Sequence, residues 1–138
     1  MHDITIRPAA LEDAAVLMAH EIHLTLGETE DKIGRGEIIV AYDGKVFVGW
    51  IRYNLFWDLV PFMNMLEVSA EYRGEGIGGK IVGYWENKMK ERGYDRVLTS
   101  TQQNENAQHF YNAVGYKAIG GFMLTGNVYE MIFEKILK

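Results

Sequence analysis

The stretch Val68-Ser69-Ala70-Glu71-Tyr72-Arg73-Gly74-Glu75-Gly76-Ile77-Gly78-Gly79-Lys80 decides how this chain is read. A β-rich run, Phe62 to Ser69, leads into it. Ile77, Ile81, Trp85 and Met89 come next at i, i+4, i+8 and i+12, with Val82 beside them. That pattern is strand, glycine-rich turn, amphipathic helix. Glycines let the backbone turn tightly and bring its N–H groups close to an anion. The helix behind them supplies unpaired N–H donors and a positive dipole end. The segment is read as a phosphate cradle, against the plainer alternative of a structural tight turn.

Outward from this loop, the remaining elements are read from periodicity and turn chemistry. Upstream, Asp3 to Arg7 alternates as a short strand, and Leu11, Ala15, Met18 and Ile22 recur at helical spacing. Thr25 to Arg35 is a poorer helical pattern. Glu37 to Tyr42 and Lys45 to Asn54 read as strands joined by a hairpin whose two central residues are Asp43-Gly44, both with positive φ. Downstream, Gly93 ends the long helix. Arg96 to Thr101 is a strand, and Asn104 to Val114 is a helix closed by Gly115. Tyr116 to Leu124 and Val128 to Ile136 are strands around Thr125-Gly126-Asn127. The order is β-α-α-β-β-β-α-β-α-β-β, with at least one parallel pair across the Ile77 helix.

Composition narrows the class. The 138 residues are 48% apolar and 24% charged, an ordinary globular balance for one domain. No apolar run reaches the roughly 20 residues of a membrane helix, so no membrane role is expected. With no cysteine, thiol catalysis, Cys-ligated zinc and iron–sulfur clusters are out. The net charge of −5, from 14 basic and 19 acidic residues, argues against nucleic acid as a partner and mildly favours cationic small substrates. Met1-His2-Asp3 opens without a basic region and apolar core, so the expected location is cytoplasmic.

Three nucleotide-site patterns compete for the glycine loop. Gly74-x-Gly76-x-x-Gly79 fits the dinucleotide string, but a hairpin precedes it and the next strand ends without an acid. Gly74-x-x-x-x-Gly79-Lys80 nearly fits a Walker A loop. It then has Ile81 where a hydroxyl must hold magnesium. The third pattern is Arg73-x-x-Gly76-x-Gly78.

With Leu66-x-Val68 before it and Glu71-Tyr72-Arg73-Gly74 leading in, this third pattern resembles the coenzyme-A pyrophosphate loop of the GNAT superfamily of N-acetyltransferases. Asn104-x-x-Ala107-x-x-Phe110-Tyr111 followed by Gly115-Tyr116 resembles that family's second signature. The resemblance covers the whole chain, 1–138, as one domain. It implies an α/β (α+β) fold: a mixed, mostly antiparallel sheet of about seven strands, the fourth and fifth parallel and splayed, flanked by about four helices. It also implies acetyl-CoA as cosubstrate and a primary amine as acceptor, whether small metabolite, antibiotic or peptide and lysine amine. Transfer would be direct attack in a ternary complex, with no metal.

Carried over by position, Leu66, Glu67 and Val68 would pair with the acetyl-pantetheine arm. Arg73, Gly74, Glu75, Gly76, Ile77 and Gly78 would hold the pyrophosphate. Asn104, Ala107, Phe110 and Tyr111 would contact the cofactor. A strand edge suits an amide-bearing arm. Tyr111 is the expected general acid for the leaving thiolate, its alternative being a core aromatic. The family's strand-borne glutamate falls on Thr99, which cannot act as a base. Glu67 is one candidate, facing either the cleft or a salt bridge; the other reading is water relaying the proton to bulk, with no single base. His20, Glu21 and His23, with Glu28, are candidate substrate contacts, as is Asn64; Trp57 and Asp58 are candidates for the same pocket. The histidines His20 and His23 lie at i, i+3, which is not the zincin spacing. Other readings stay open: a non-catalytic acyl-CoA sensor, a nucleotide-dependent enzyme, and a homodimer paired through a free edge of Val128 to Ile136.

Overall fold

Strand β1 (Ile4–Pro8) opens the chain, and Arg7 near its end organises the first turn. Its guanidinium forms two bonds to Asp13, 2.8 Å and 3.0 Å, and Asp13 Oδ2 also accepts from the Ala10 N–H at 2.7 Å. This carboxylate starts a 3-10 turn (Leu11–Asp13) that runs into α1 (Ala14–Met18). The expected single helix from Leu11 is thus a tight turn plus five helical residues. Helix α2 (Leu26–Gly34) is better capped than its pattern suggested: Thr25 and Glu28 bond each other's backbone N–H, a reciprocal capping box. The computed structural model describes residues 2–138.

Strands β2 (Ile38–Asp43) and β3 (Val46–Phe56) form the expected hairpin with a different turn. Asp43 pairs with Val46, so the loop is Gly44-Lys45, and of its two residues only Gly44 has positive φ, 61°. One left-handed glycine at the first central position is the II′ pattern, where Asp43-Gly44 had suggested I′. Strand β4 (Val60–Val68) comes next, then α3 (Ile77–Glu91). Ile77, Ile81, Val82, Trp85 and Met89 are all at most 3% exposed. Each such burial stabilises by about 2 kcal/mol as an upper estimate. Gly93 (φ 94°) ends the helix as the sequence suggested, with Tyr94 N–H bonded to Met89 O and Gly93 N–H to Lys90 O.

Strand β5 (Arg96–Gln102), helix α4 (Ala107–Ala113) and strands β6 (Lys117–Leu124) and β7 (Val128–Ile136) complete the chain. The strand order is β1-β2-β3-β4-β5-β7-β6, with four α-helices among the described residues. β4 pairs with β5 in parallel, at Phe62↔Leu98 and Met63↔Thr99, and then runs on to Val68. The pairs β1–β2, β2–β3, β5–β7 and β6–β7 are antiparallel. The mixed seven-stranded fold is the one expected.

One expectation is corrected. β7 has no free edge, because it pairs with β5 on one side and β6 on the other. The closing hairpin places its return strand inward, which leaves β6 outermost.

Backbone contacts group the chain into two units. One is the chain through Tyr53 with Met65–Trp85; the other is Asn54–Asn64 with Glu86–Lys138. In the first, Ala14, Leu17, Ile33, Ile38, Val40 and Trp50 form a buried cluster. In the second, Glu86 is buried, accepting from Tyr116 Oη at 2.8 Å and Lys135 Nζ at 2.9 Å. Burial and the Glu86 charge push the Tyr116 phenol far up. Among the described residues no helix is long and apolar enough to cross a membrane.

Candidate functional site

The glycine loop is built in three steps. After Val68 the chain makes a 3-10 turn, Ala70–Tyr72, and Tyr72 Oη donates to Asp43 Oδ2 at 2.9 Å. That bond holds the Asp43 carboxyl below its ordinary range and raises the Tyr72 phenol. Next, Arg73 folds back and its Nε donates to Val68 O at 2.9 Å. Finally, Gly74 and Gly76 both take left-handed φ of 79°, which a side chain adopts at a cost, and α3 begins at Ile77. A Cβ added at Gly74, Gly76 or Gly79 would meet nothing within 4 Å. The space in front of the loop is therefore open, and the first N–H groups of α3 have no acceptor in their own helix. An anionic group such as a pyrophosphate fits this cradle. His2 lies beside it, 2.9 Å from Asp43 and 3.1 Å from Glu75.

Next to the loop on β4, Glu67 takes a partner. Its Oε1 accepts from Trp50 Nε1 at 3.0 Å and lies 2.9 Å from His20 Nδ1. The Glu67 side chain is still 38% exposed and that of His20 30%. Of the two orientations left open, this one turns Glu67 to the residues after α1. Glu21 is not presented to solvent: its carboxylate is buried 2.9 Å from Arg52 Nε, and Oε2 accepts from the His23 N–H at 2.7 Å. Arg52 donates from Nη2 to Glu21 Oε2 at 3.4 Å, whereas the shorter Nε contact lies off the line a hydrogen bond needs and is chiefly electrostatic. Glu21 thereby fixes the loop that leaves His23 exposed. Glu28 is spent on the α2 cap, and the Thr25 N–H holds its carboxyl below the usual range.

In the second unit, Tyr111 on α4 is 7% exposed, packed near Tyr116 (5.7 Å between ring centres) and Phe133 (6.0 Å). Burial pushes its phenol up, opposed by a hydrogen bond with Thr99. Thr99 Oγ1 in turn donates to Met63 O at 3.0 Å, on the last parallel rung between β4 and β5. Tyr111 is both a core aromatic and a hydroxyl delivered to that rung. Asn104 lies exposed in the turn before α4; Ala107 and Phe110 are half-buried on the helix. The helix starts at Ala107, three residues later than expected, because Gln102 and Glu105 close a turn first.

A cleft of about 390 Å³ in the same unit is lined by Phe56, Trp57, Phe62, Phe122, Asn64 and Ser100 among others, none of them charged. Asn64 Nδ2 donates to Asn54 Oδ1 at 2.8 Å on its wall. Trp57 and Asp58, at the β3–β4 turn, have φ of 55° and 59°, and Trp57 is 76% exposed. Trp50, Asn54, Phe56 and Phe122 were missed from sequence. The run Phe56-Trp57 with Phe62 beyond the turn was the available signal for the aromatic wall. Among the described residues no three His, Asp or Glu side chains converge as a metal site.

Comparison with known proteins bears on the family and the fold. Residues 9–116 match the acetyltransferase (GNAT) family. A curated relative, N-alpha-acetyltransferase 30 of Schizosaccharomyces pombe, is 35% identical over 95 residues, 63% of this chain and 63% of that protein. The chain thus spans just under two thirds of that relative's length. Ard1 from Thermoplasma volcanium superposes with a TM-score of 0.82, 14% identity and 98% coverage of both chains. The PaiA N-acetyltransferase of Thermoplasma acidophilum, solved with coenzyme A, gives 0.80 at 18% identity, covering 97% of this chain and 99% of its own. At these identities the two structures speak for the fold.

Proposed function

Because the chain belongs to the acetyltransferase (GNAT) family, we propose that residues 1–138 act as one acetyl-CoA-dependent N-acetyltransferase domain that acetylates a primary amine. The observation that carries this is the loop itself: two left-handed glycines at the start of α3, opening on free space, behind an arginine tied to β4.

In this reading the backbone of Leu66, Glu67 and Val68 receives the pantetheine arm as an added strand. Arg73, Gly74, Glu75, Gly76, Ile77 and Gly78 hold the pyrophosphate, and Asn104, Ala107 and Phe110 contact the arm. When bound, acetyl-CoA supplies the thioester that makes the acyl group transferable. The Val68 N–H polarises the carbonyl by hydrogen bonding. Tyr111 holds its proton through neutral pH, since burial raises its phenol, and gives it to the departing sulfur.

The acceptor reading is drawn from two facts. The Schizosaccharomyces pombe relative is named as an N-alpha-acetyltransferase, which puts a peptide α-amine ahead of other amines. The uncharged aromatic cleft favours an acceptor that carries apolar surface beside its amine.

Calorimetric titration with acetyl-CoA, with NAD and ATP–magnesium as controls, tests the reading. Micromolar acetyl-CoA binding with silent controls is expected. Free-thiol release across a peptide, a polyamine and an aminoglycoside then ranks acceptors. Absence of acetyl-CoA binding would sink the cofactor assignment, and binding with no release from any amine would favour a non-catalytic acyl-CoA sensor.

A further inference from the structure

We infer that His20 is the group that takes the acceptor's proton, with Glu67 as its positioning residue; the inference rests on the acetyltransferase reading above. Glu67 Oε1 has two polar neighbours, Trp50 Nε1 at 3.0 Å and His20 Nδ1 at 2.9 Å. An indole N–H can only donate, so Oε1 is an acceptor there. The second bond to the same carboxylate oxygen then has its hydrogen on Nδ1. In the neutral ring this leaves the lone pair on Nε2. The ring also packs on Phe47, 4.8 Å away between centres and tilted by 41°.

A surface histidine with one ring contact would be ordinary. Here the tautomer is set by a carboxylate that a tryptophan anchors from the other side. The ring is 30% exposed, so a captured proton can pass on to water. Glu67 is also the middle one of the three residues, Leu66 to Val68, assigned to the thioester arm. The charged groups around the ring are few. β3 brings Phe47, Trp50 and Arg52, and Arg52 is paired to Glu21 beside it. β4 brings Glu67, whose charge is the one within hydrogen-bond reach of the imidazole among the described contacts.

The protons balance. An acceptor ammonium carries three. His20 Nε2 takes one, which frees the nitrogen lone pair. The C–N bond then forms as the C–S bond breaks. A second proton reaches the sulfur by way of Tyr111, and the amide keeps the third. The proton on His20 is the one released to solvent.

The test joins NMR of the His20 imidazole nitrogens in the free protein to kcat/KM measured by free-thiol release. The probes are the best amine of the acceptor screen and hydroxylamine, which is largely neutral at pH 7 and needs no base. His20→Gln should lower kcat/KM at least hundredfold for the basic amine, leave acetyl-CoA affinity within twofold, and lose little with hydroxylamine. Glu67→Gln should release the Nδ1–H tautomer, read from the imidazole 15N shifts by NMR, and lower kcat/KM at least tenfold for the basic amine with little loss for hydroxylamine. A purely structural His20–Glu67 contact would affect the two amines alike. The inference is overturned if His20→Gln stays within threefold of wild type, or if Glu67→Gln changes the 15N shifts and leaves the ratio of kcat/KM between the two amines as in wild type. If His20→Gln does not fold, the two Glu67→Gln readouts decide alone. Failure of wild type to bind acetyl-CoA overturns the acetyltransferase reading and this one with it; normal turnover with flat variants overturns only the role of His20.

Discussion

Arg73 Nε donates to the carbonyl oxygen of Val68 at 2.9 Å, so the loop's cation is tied to the last residue of β4. The bond links the strand proposed to hold the thioester arm to the loop proposed to hold the pyrophosphate. Arg73→Ala frees the turn before Gly74 without touching the core, since Arg73 is exposed. A charge-assisted bond at an exposed site is worth about 1 kcal/mol. Acetyl-CoA affinity should fall roughly five- to tenfold by calorimetry, with thermal stability nearly unchanged. Arg73→Lys should not restore it, because an ammonium has no donor at the Nε position. Equal affinity in all three proteins would detach this bond from cofactor binding.

Tyr111→Phe separates chemistry from binding. The buried phenol is raised above its ordinary value of about 10 by desolvation. It therefore stays protonated at every pH where an amine substrate is assayed, and kcat should show no basic limb from Tyr111 below about pH 10. Loss of the hydroxyl should cut kcat about hundredfold or more, with acetyl-CoA affinity within a few fold. The lost bond with Thr99 should cost about 1 kcal/mol of stability. An unchanged kcat would leave Tyr111 a core aromatic only.

What the sequence made legible is what local spacing controls. The α3 stripe from Ile77 to Met89 and the glycines before it are neighbours in sequence, so periodicity and turn chemistry suffice. The β2–β3 turn slipped by one residue because Asp-Gly fits the centre of a I′ turn and equally the entry to a II′ turn; the pairing of Asp43 with Val46 decides it. Glu86 lay off the apolar stripe yet is buried, since its partners Tyr116 and Lys135 arrive 30 and 49 residues later. The Glu67–His20 contact spans 47 residues, and no spacing rule reports it. The geometry of the glycine loop was therefore readable, and the Glu67–His20 pair was not.

Asp13 makes stability depend on pH in a predictable sense. Burial opposes its ionisation, but hydrogen bonds from Arg7, the Ala10 N–H and Tyr42 outweigh it and hold the carboxyl below its usual range. The folded chain thus binds this proton less tightly than the unfolded one. The stabilisation is complete above the unfolded value of about 3.9 and is lost as pH falls through the folded value. Tyr42 has the opposite sign: burial, then Asp13, pushes its phenol up to about 12. Its contribution falls away as pH rises from about 10 toward that value. Asp13→Asn should cost roughly 1–3 kcal/mol at pH 7 and flatten the acid slope. Urea unfolding of both proteins at pH 7 and pH 3.5 reads this out. An equal gap at the two pH values would place the acid sensitivity elsewhere.

Two glycine-to-alanine changes should fail in different ways. At Gly76, φ is 79° and the added Cβ meets open space. Gly76→Ala should fold, with about 1–2 kcal/mol of backbone strain, and lose acetyl-CoA affinity because the methyl enters the cradle. At Gly49 on β3, the added Cβ lies 2.8 Å from Glu67 O, a backbone atom that cannot swing aside. Gly49→Ala should lose roughly 1–3 kcal/mol or more and shift β4 itself. Melting curves with and without acetyl-CoA distinguish them: Gly76→Ala should lose most of the ligand-induced rise in Tm. A full rise in that variant would move the anion site off the glycine loop.

Trp57 holds a large ring 76% exposed on a backbone with φ of 55°, a conformation that costs a bulky residue about 1–2 kcal/mol. Strain of this kind persists where surrounding structure enforces it, and often where function uses it. The ring stacks at 4.8 Å on Phe56 and walls the uncharged cleft. Trp57→Gly removes the strain and that exposed stack, worth about 0.5–1.5 kcal/mol, and makes the unfolded chain freer by up to about 1 kcal/mol. These effects nearly cancel, so Tm should change little. If the cleft receives the acceptor's apolar part, acceptor KM should rise about tenfold, the value of one or two lost methylene-sized contacts, while acetyl-CoA affinity stays as it was. Steady-state kinetics on the best amine of the screen give both numbers. An unchanged KM for an apolar amine would mean that the acceptor is recognised away from this cleft, and that the strain at Trp57 serves the turn alone.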